Sequence, residues 1–303
     1  MAVDKPLFSV LLPTHSRSDV IGYALKSVLA QTEQSFEILV VGDGAEEGTF
    51  TAIDAFADSR IRWFDFPKAE GFGYANRNRA LLQAKGRYIA HMSDDDLILP
   101  THLASLREAL DSGAKIACTR AIGVSSDGIA CPLVTNLSLK DELEEFKTKA
   151  NCLPSTCFAY RLDALDEIAP WPENGRGGGD WVVWRKVMTA NPMFPLIALP
   201  KFSALHFTAK RKNLRSNPGK MAALLKLADS SDWWPEFMSP EIKDGTNEQS
   251  VWSDIISTSD GVELLERNTA IINDRLALMY LKSLLPRRKR SSVSLFLSRL
   301  KKP

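Results

Sequence analysis

Between residues 7 and 119, short apolar runs alternate with segments in which apolar residues recur at helical spacing. Each run is hydrophobic at its centre, as in a strand that is covered on both faces of a sheet. The runs lie at residues 7–12, 36–41, 61–66, 87–92 and 115–119. Between them, apolar residues recur with helical periodicity, as in Val20, Ala24 and Val28. This order predicts an α/β fold with a mostly parallel central sheet, right-handed crossovers and flanking helices.

The pattern loses its regularity after residue 124. It predicts helices at residues 138–149, 161–168 and 181–188, and strands at residues 153–160 and 202–207. Beyond residue 213 the spacing is helical, with a polar break at residues 244–249. We therefore divide the chain into a sheet-containing domain, residues 1–210, and a helical C-terminal extension, residues 211–303.

The composition is that of an ordinary globular protein, with 45% hydrophobic residues, 25% charged residues and a formal net charge of +1. This balance indicates no nucleic-acid partner. The N-terminal apolar run lacks a basic flank and a cleavage site, so it predicts a strand and not a signal peptide. No apolar run approaches the length of a membrane span. The cysteines lack CxxC spacing and predict buried thiols in a reducing cytoplasm. They are Cys118, Cys131, Cys152 and Cys157.

The end of the chain is rich in cations. From Lys282 onwards the sequence has no acid, and Leu295, Phe296 and Leu297 are interleaved with lysine and arginine. A basic, weakly amphipathic segment can lie on an anionic membrane surface, and a solvated tail is the alternative. We therefore expect a cytoplasmic protein that can also lie at the inner face of the membrane through this tail.

Residues 85–100, KGRYIAHMSDDDLILP, combine a buried strand with three consecutive acids. Asp94, Asp95 and Asp96 follow directly where the strand ends at Ser93. Adjacent carboxylates repel one another, and a divalent cation with oxygen ligands is the usual compensation. An acidic helix N-terminus would explain the same residues without a metal, because Asp favours the positive end of a helix dipole. The carboxyl ends of strands are nevertheless where open α/β sheets bind ligands.

Polar residues also follow the first and second predicted strands. Pro13, Thr14 and Arg17 come after the first, and Asp43 stands between two glycines after the second. A parallel sheet would place both groups beside the three acids. Asp43 could accept hydrogen bonds from a nucleobase or a ribose, and a tight turn is the alternative. Arg17, and Arg77 further along, could bind phosphates or be surface charges.

Asp180 begins a predicted helix after the glycine-rich residues 175–179. Such glycines favour a loop that moves or closely approaches a ligand. With Arg176 or Arg185 nearby to keep it ionised, the Asp180 carboxylate could act as a general base, and a helix N-cap is the alternative. His206, at the end of a strand-like run, could complete a metal shell as a neutral imidazole or be structural.

Five segments of the chain, in order, resemble the motifs of the GT-A glycosyltransferases of family 2. They are SVLLPTHSR, VVGDGA, GYANRNRAL, KGRYIAHMSDDDLILP and GGGDWVVWRKV, within residues 8–208. The resemblance implies a Rossmann-like GT-A fold and inverting transfer of a sugar from a nucleotide-diphosphate sugar to an acceptor hydroxyl, with Mn²⁺ or Mg²⁺ as cofactor. It favours a UDP-sugar donor and a saccharide or lipid-linked acceptor in the synthesis of cell-surface polysaccharide or glycan.

The resemblance also implies roles for individual residues. Asp43 matches the acid that binds the base, Asp95 the best single metal ligand of the Asp-x-Asp motif, and Asp180 the base that deprotonates the acceptor. The predicted nucleotide-sugar site is Pro13, Thr14, Arg17, Asp43, Arg77, Asp94 and Asp95, and the predicted metal ligands are Asp95, Asp96 and His206.

Three positions depart from the family's pattern. The strand-two motif usually has two acids before its glycine, the late motif is usually Glu-Asp, and the metal motif often begins one residue earlier with Asp. This chain has Gly42, Gly179 and Ser93 in those places. A non-catalytic sugar-nucleotide-binding protein of the same fold is therefore an alternative function.

A further alternative is an NAD-binding Rossmann oxidoreductase. FEILVVGDGAEEG, followed by Asp65 at the end of the next strand, imitates a dinucleotide fingerprint. The glycines, however, are spaced GxGxxxG, and an acid within the turn would repel a pyrophosphate.

Overall fold

A computed structural model describes residues 5–166, 170–173, 175, 177–207 and 220–284 of the chain. The strands are β1 (Phe8–Thr14), β2 (Phe36–Asp43), β3 (Ile61–Phe66), β4 (Tyr88–His91), β5 (Leu97–Ile98), β6 (Ile116–Val124), β7 (Ala130–Pro132), β8 (Phe158–Arg161) and β9 (Ile197–Phe207). The helices are α1 (Ile21–Leu29), α2 (Glu47–Asp54), α3 (Tyr74–Leu81), α4 (His102–Asp111), α5 (Lys140–Thr148), α6 (Gly179–Ala190), α7 (Lys220–Ser230), α8 (Glu248–Ile256) and α9 (Ser259–Leu284).

The described strands form a single mixed sheet with the order β3-β2-β1-β4-β8-β6-β9-β5, and β7 pairs with β6. β1 is parallel to β2 and to β4, and β2 is parallel to β3. β8 is antiparallel to both β4 and β6, so that β6 and its parallel neighbour β9 point the same way as β1. The predicted α/β class and Rossmann-like sheet with helices are therefore confirmed, while β8, β5 and β7 run against the common strand direction.

The sheet forms where the sequence has its continuous apolar runs. β2 is buried along its whole length, and β1 along all but one residue. The predicted apolar face of α1 is fully buried in the main core through Ile21, Ala24, Leu25 and Val28. Burying a large aliphatic side chain contributes about 1.5–3 kcal/mol, so this hydrophobic pattern holds the first half of the sheet together.

Three short segments differ from the sequence prediction. Leu97 and Ile98, which lie outside the predicted strands, form β5 by pairing with β9. The predicted strand at residues 153–160 opens with a 3₁₀ turn, Ser155–Cys157, and the predicted helix at residues 161–168 starts as a 3₁₀ turn, Leu162–Ala164. These outcomes depend on pairing partners that are distant in the chain, which local periodicity does not report.

The helices after residue 220 share a core with the far edge of the sheet. Trp252, Leu265 and Ile272 pack with Leu205 and Phe207 of β9. The predicted helical extension is thus present, while the domain boundary at residue 210 stays a prediction. The basic tail from residue 285 lies outside the described residues. No helix within the described part of the chain is both long enough and apolar enough to cross a membrane.

Candidate functional site

A cleft of about 190 Å³ lies where β1, β4 and the start of α6 meet. Six of the predicted site residues line it, namely Pro13, Arg17, Arg77, Asp94, Asp95 and Asp180. Thr14 is buried at the end of β1, where it pairs with Gly42 of β2, next to Asp43. Parallel pairing of β1 with both of its neighbours thus gathers residues that are far apart in the sequence.

The Asp43 carboxylate is buried and held by three donors. Its Oδ1 accepts hydrogen bonds from the Ala69 amide at 2.8 Å and from Asn76 Nδ2 at 2.7 Å. Its Oδ2 accepts one from Lys68 Nζ. Burial alone would raise the pKa of Asp43, but these hydrogen bonds outweigh it and lower the pKa below its ordinary value. The protein therefore keeps Asp43 ionised with its own groups.

Helix α3 begins directly against this carboxylate. Its N-cap, Gly73, has a φ of 72°, and a Cβ at that position would lie 2.7 Å from Asp43 Oδ2. Only glycine meets both requirements without strain. The turn after β2 therefore presents an ionised carboxylate, whereas a dinucleotide site needs backbone amides for the pyrophosphate. This geometry disfavours the NAD-binding alternative.

Asp94 and Asp95 are poorly compensated by comparison. Arg17 Nη2 lies 3.2 Å from Asp95 Oδ2, and Arg17 Nε lies 3.8 Å from Asp94 Oδ1. Burial, followed by the charges of Asp96 and Asp94, nevertheless raises the pKa of Asp95 to about 7. Burial also raises the pKa of Asp94. The cleft thus holds more negative charge than Arg17 offsets.

Asp96 is fully buried and serves as a structural link. Its Oδ2 accepts a hydrogen bond from Thr156 Oγ1 at 2.5 Å, and its Oδ1 accepts one from the Phe207 amide at 3.2 Å. Asp96 Oδ1 also lies 3.0 Å from His206 Nδ1. The described lining of the cleft includes Asp94 and Asp95 but not this pair. Their role as metal ligands stays a prediction.

The acids of the cleft fit a hard divalent cation. Carboxylate oxygens are its preferred ligands, and the raised pKa of Asp95 reports uncompensated charge. Among the described residues, no group of three or more His, Cys, Asp or Glu side chains is arranged to hold a metal ion. Mg²⁺ is commonly bound by one or two carboxylates together with substrate phosphates. Asp95 suits that incomplete kind of site.

Asp180 lies in the first turn of α6 and faces the same cleft. Its Oδ1 accepts hydrogen bonds from Arg77 Nη1 and from Trp171 Nε1, both at 2.8 Å. Arg77, predicted to contact a nucleotide, is thus paired with Asp180 in this structure. Arg176 lies outside the described residues, and the Arg185 guanidinium lies over the Trp181 ring.

Aromatic rings fill the space at two positions where the family pattern has an acid. A Cβ on Gly42 would lie 2.4 Å from Cη2 of Trp63, and a Cβ on Gly179 would lie 2.4 Å from Cζ of Tyr74. The Gly179 amide also donates a hydrogen bond to Tyr74 Oη at 2.8 Å. Any side chain at either glycine would displace a ring, which gives a physical reason for both departures. At the third departure, the Ser93 amide donates to Thr156 Oγ1 at 3.1 Å.

Four residues of the site were missed by sequence reasoning. Asn76 gave a signal, because it is a polar residue within the helical GYANRNRAL segment, on a helix that must bury one face. Lys68 and Trp171 gave no signal, because each lies in a loop whose course the sequence pattern does not predict. His91 ends β4 and lines the cleft; its ring meets Trp184 edge-on at 4.3 Å, and burial lowers its pKa to about 3.

The profile of the family described as "Glycosyl transferase family 2" matches residues 9–169. The succinoglycan biosynthesis protein ExoO of Rhizobium meliloti is 34% identical over 129 residues, which cover 42% of this chain and 37% of that protein. The UDP-Glc:alpha-D-GlcNAc-diphosphoundecaprenol beta-1,3-glucosyltransferase WfgD of Escherichia coli is 35% identical over 101 residues, which cover 33% of this chain and 40% of that protein. The chain thus spans about two fifths of the length of these relatives.

Solved structures show the same fold. S. aureus TarS in complex with UDP-GlcNAc has a TM-score of 0.55 at 18% identity, covering 93% of this chain and 77% of that chain. The mannosyltransferase PcManGT of Pyrobaculum calidifontis, in complex with GDP-Man and Mn²⁺, has a TM-score of 0.51 at 15% identity, covering 98% and 81%. These likenesses confirm the GT-A fold. With the profile match over more than half of its length, the chain belongs to glycosyl transferase family 2.

Proposed function

We propose that the protein is an inverting, cation-dependent glycosyltransferase that moves a sugar from a UDP-sugar to a hydroxyl of a saccharide or lipid-linked acceptor. The observation that supports this most is the gathering of three kinds of carboxylate at one sheet edge. Asp43 is held ionised by donors, Asp95 lies in excess negative charge, and Asp180 opens a helix across the cleft.

The nucleotide base would bind at Asp43. A carboxylate whose Oδ1 is fixed by two donors can present its remaining lone pairs to an N–H of a uracil, while Lys68 is placed to donate to a neighbouring carbonyl. A UDP-sugar donor is favoured because WfgD is named for UDP-Glc and the TarS structure contains UDP-GlcNAc.

The diphosphate would lie between Arg17 and Asp95. Asp95 would hold a Mn²⁺ or Mg²⁺ ion together with Asp96 and His206, which hydrogen-bond each other. Asp94 would bind the ribose. When bound, such an ion offsets the charge that develops on a departing nucleoside diphosphate. Arg17 adds a fixed cation at the same place, and its guanidinium geometry suits phosphate oxygens.

Asp180 would act as the general base. It takes the proton of the acceptor hydroxyl, and the acceptor oxygen then attacks the anomeric carbon opposite the leaving diphosphate, which inverts the configuration. The acceptor class comes from relatives alone, since WfgD is named for a diphosphoundecaprenol-linked substrate and ExoO for succinoglycan biosynthesis.

The test begins with a thermal-shift screen of UDP-, GDP-, dTDP- and CDP-sugars, with and without Mn²⁺. Nucleotide release from the stabilising donor is then compared for wild type, Asp180→Asn and Asp65→Asn. Asp65, an exposed acid on β3, is the matched control. We expect Asp180→Asn to lower the rate of nucleotide release by about 10²–10⁴-fold while donor binding is retained. Asp65→Asn should behave as wild type.

Near wild-type transfer by Asp180→Asn would refute the base assignment. Donor binding without any nucleotide release by the wild type would instead favour the non-catalytic alternative. That alternative arises because Gly42 and Gly179 replace two acids of the family pattern.

A further inference from the structure

Two neighbouring residues of α3 influence the position of Asp180, one directly and one through Trp171. Arg77 donates directly from Nη1 to Asp180 Oδ1 at 2.8 Å. Asn78, which is buried, hydrogen-bonds both the N–H and the C=O of the Trp171 backbone. Its Nδ2 donates to the Trp171 carbonyl at 3.0 Å, and its Oδ1 accepts from the Trp171 amide at 3.1 Å. Trp171 in turn donates from Nε1 to Asp180 Oδ1 at 2.8 Å.

Both donors act on the same oxygen. An indole N–H can only donate, and a guanidinium carries only donors, so together they occupy both lone pairs of Oδ1. Trp171 is only 2% exposed, and a buried donor of this kind needs an acceptor in a fixed place. Neither group offers an acceptor to a protonated Oδ1, which leaves Oδ2 as the oxygen that can take up a proton.

We propose that Asn78 and Trp171 are positioning residues of the transfer reaction, with Asn78 fixing Trp171, and Trp171 and Arg77 fixing Asp180 so that Oδ2 receives the acceptor proton. The proposal rests on the proposed function. As the acceptor O–H bond breaks, an O–H bond forms at Oδ2. The electron pair left on the acceptor oxygen forms the new bond to the anomeric carbon, and the bond from that carbon to the diphosphate oxygen breaks.

Other titratable groups also face Asp180. Arg77 lies on α3, and His91, neutral near pH 7 because burial lowers its pKa to about 3, lies on β4, while Arg17, Asp94 and Asp95 line the same cleft. All of them remain in place when the Trp171 indole is replaced by a phenyl ring. A change in the pH profile of such a variant therefore reports the lost N–H donor.

The experiment compares Trp171→Phe with Trp181→Phe. Trp181, next to Asp180 on α6, donates from Nε1 to the Phe146 carbonyl at 2.7 Å, so its variant loses an equivalent hydrogen bond without touching Asp180. The rate of UDP release from UDP-glucose with Mn²⁺ is measured from pH 5 to pH 9, and UDP affinity by calorimetry confirms that each variant is folded. If UDP-glucose does not stabilise the protein, the donor found in the screen replaces it.

In Trp171→Phe the acid limb of kcat should move to higher pH by about one unit, because a hydrogen bond to a charged group is worth roughly one such unit. At the pH of the wild-type midpoint, kcat should therefore fall several-fold, with the donor KM unchanged. Trp181→Phe should keep the wild-type limb. Asn78→Ala should move the limb in the same direction by less, and Asn78→Ala with Trp171→Phe should resemble Trp171→Phe alone.

Superimposable profiles for Trp171→Phe and Trp181→Phe would overturn the proposal, as would full additivity of the Asn78 and Trp171 variants. Either result, with Asp180→Asn still inactive, leaves the proposed function standing. Full activity of Asp180→Asn would remove the proposed function itself.

Discussion

β2 and β4 flank β1, and acids lie at or just after the carboxyl end of each, yet the two ends differ in charge balance. At the end of β2, hydrogen bonds from Lys68, Ala69 and Asn76 overcome burial and lower the pKa of Asp43. After β4, burial and neighbouring acids raise the pKa of Asp95 to about 7 despite Arg17. The protein thus completes one carboxylate site with its own groups and leaves the other short of positive charge. We expect this difference if the carboxyl end of β2 is a preformed base-binding site and the carboxyl end of β4 binds a diphosphate only together with a cation.

The largest expected effect breaks the second half of that comparison. Asp95→Asn should lower Mn²⁺-dependent nucleotide release by about 100-fold or more, because a metal supplies several kcal/mol of charge stabilisation. The measurement is the rate against Mn²⁺ concentration, with Asp65→Asn as the control. A variant that keeps the wild-type rate and the wild-type Mn²⁺ dependence would show that Asp95 does not hold the cation.

A second prediction uses the opposite pKa shifts directly, in EDTA. The pKa of Asp95 is raised in the folded state, so folded protein binds more protons than unfolded protein between about pH 4 and pH 7, and the stability contribution of Asp95 falls as pH rises through that window. Asp95→Asn should therefore become more stable than wild type by about 4 kcal/mol near pH 8, since about three pKa units of about 1.4 kcal/mol each separate the folded and unfolded values, with little difference near pH 4.

Asp43 should give the opposite slope. Its pKa is lowered by folding, so its contribution is present above its unfolded pKa and is lost as pH falls through the folded value. Asp43→Asn should be less stable than wild type at neutral pH, and the difference should shrink on acidification. Denaturant unfolding at several pH values measures both variants, and slopes of the same sign would contradict the comparison.

A smaller effect sharpens the first half. Gly73→Ala should cost about 1–2 kcal/mol of folding free energy, because φ is positive there. It should also weaken UDP binding about tenfold, which corresponds to about 1.4 kcal/mol, since the new Cβ pushes against Asp43 Oδ2. Gly113→Ala is the matched control, because its φ is also positive but its Cβ would meet nothing within 4 Å. Equal UDP affinity in the two variants would exclude the role given to Gly73.

Much of this arrangement could be predicted from the sequence, for a physical reason. A continuous apolar run reports a strand covered on both faces, and parallel strands place their carboxyl ends at one edge, so the positions of Asp43 and Asp95 follow from local patterns. Asp94, Asp95 and Asp96 are the same residue type, however, so the sequence does not distinguish them. Only the tertiary contacts with Thr156 and Phe207 show that Asp96 is a buried link.

The contacts around Asp180 could not be predicted from the sequence. Asn78 and Trp171 are separated by a long stretch of chain, and neither has a neighbour that marks it as polar support. β5 likewise exists only because β9 pairs with it. Local periodicity therefore predicted the parallel strands of the first half of the sheet and the ends at which the acids lie, and it could not predict which side chains hold those acids.

Calorimetric titration of UDP into wild type, Asp43→Asn and Asp95→Asn, each with Mn²⁺ and with EDTA, tests the central comparison most directly. We predict that Mn²⁺ strengthens UDP binding to wild type and to Asp43→Asn, that Asp95→Asn binds UDP equally with and without Mn²⁺, and that Asp43→Asn binds more weakly than wild type in both conditions. Mn²⁺-dependent binding that survives in Asp95→Asn, or an Asp43→Asn affinity equal to that of wild type, would contradict the account.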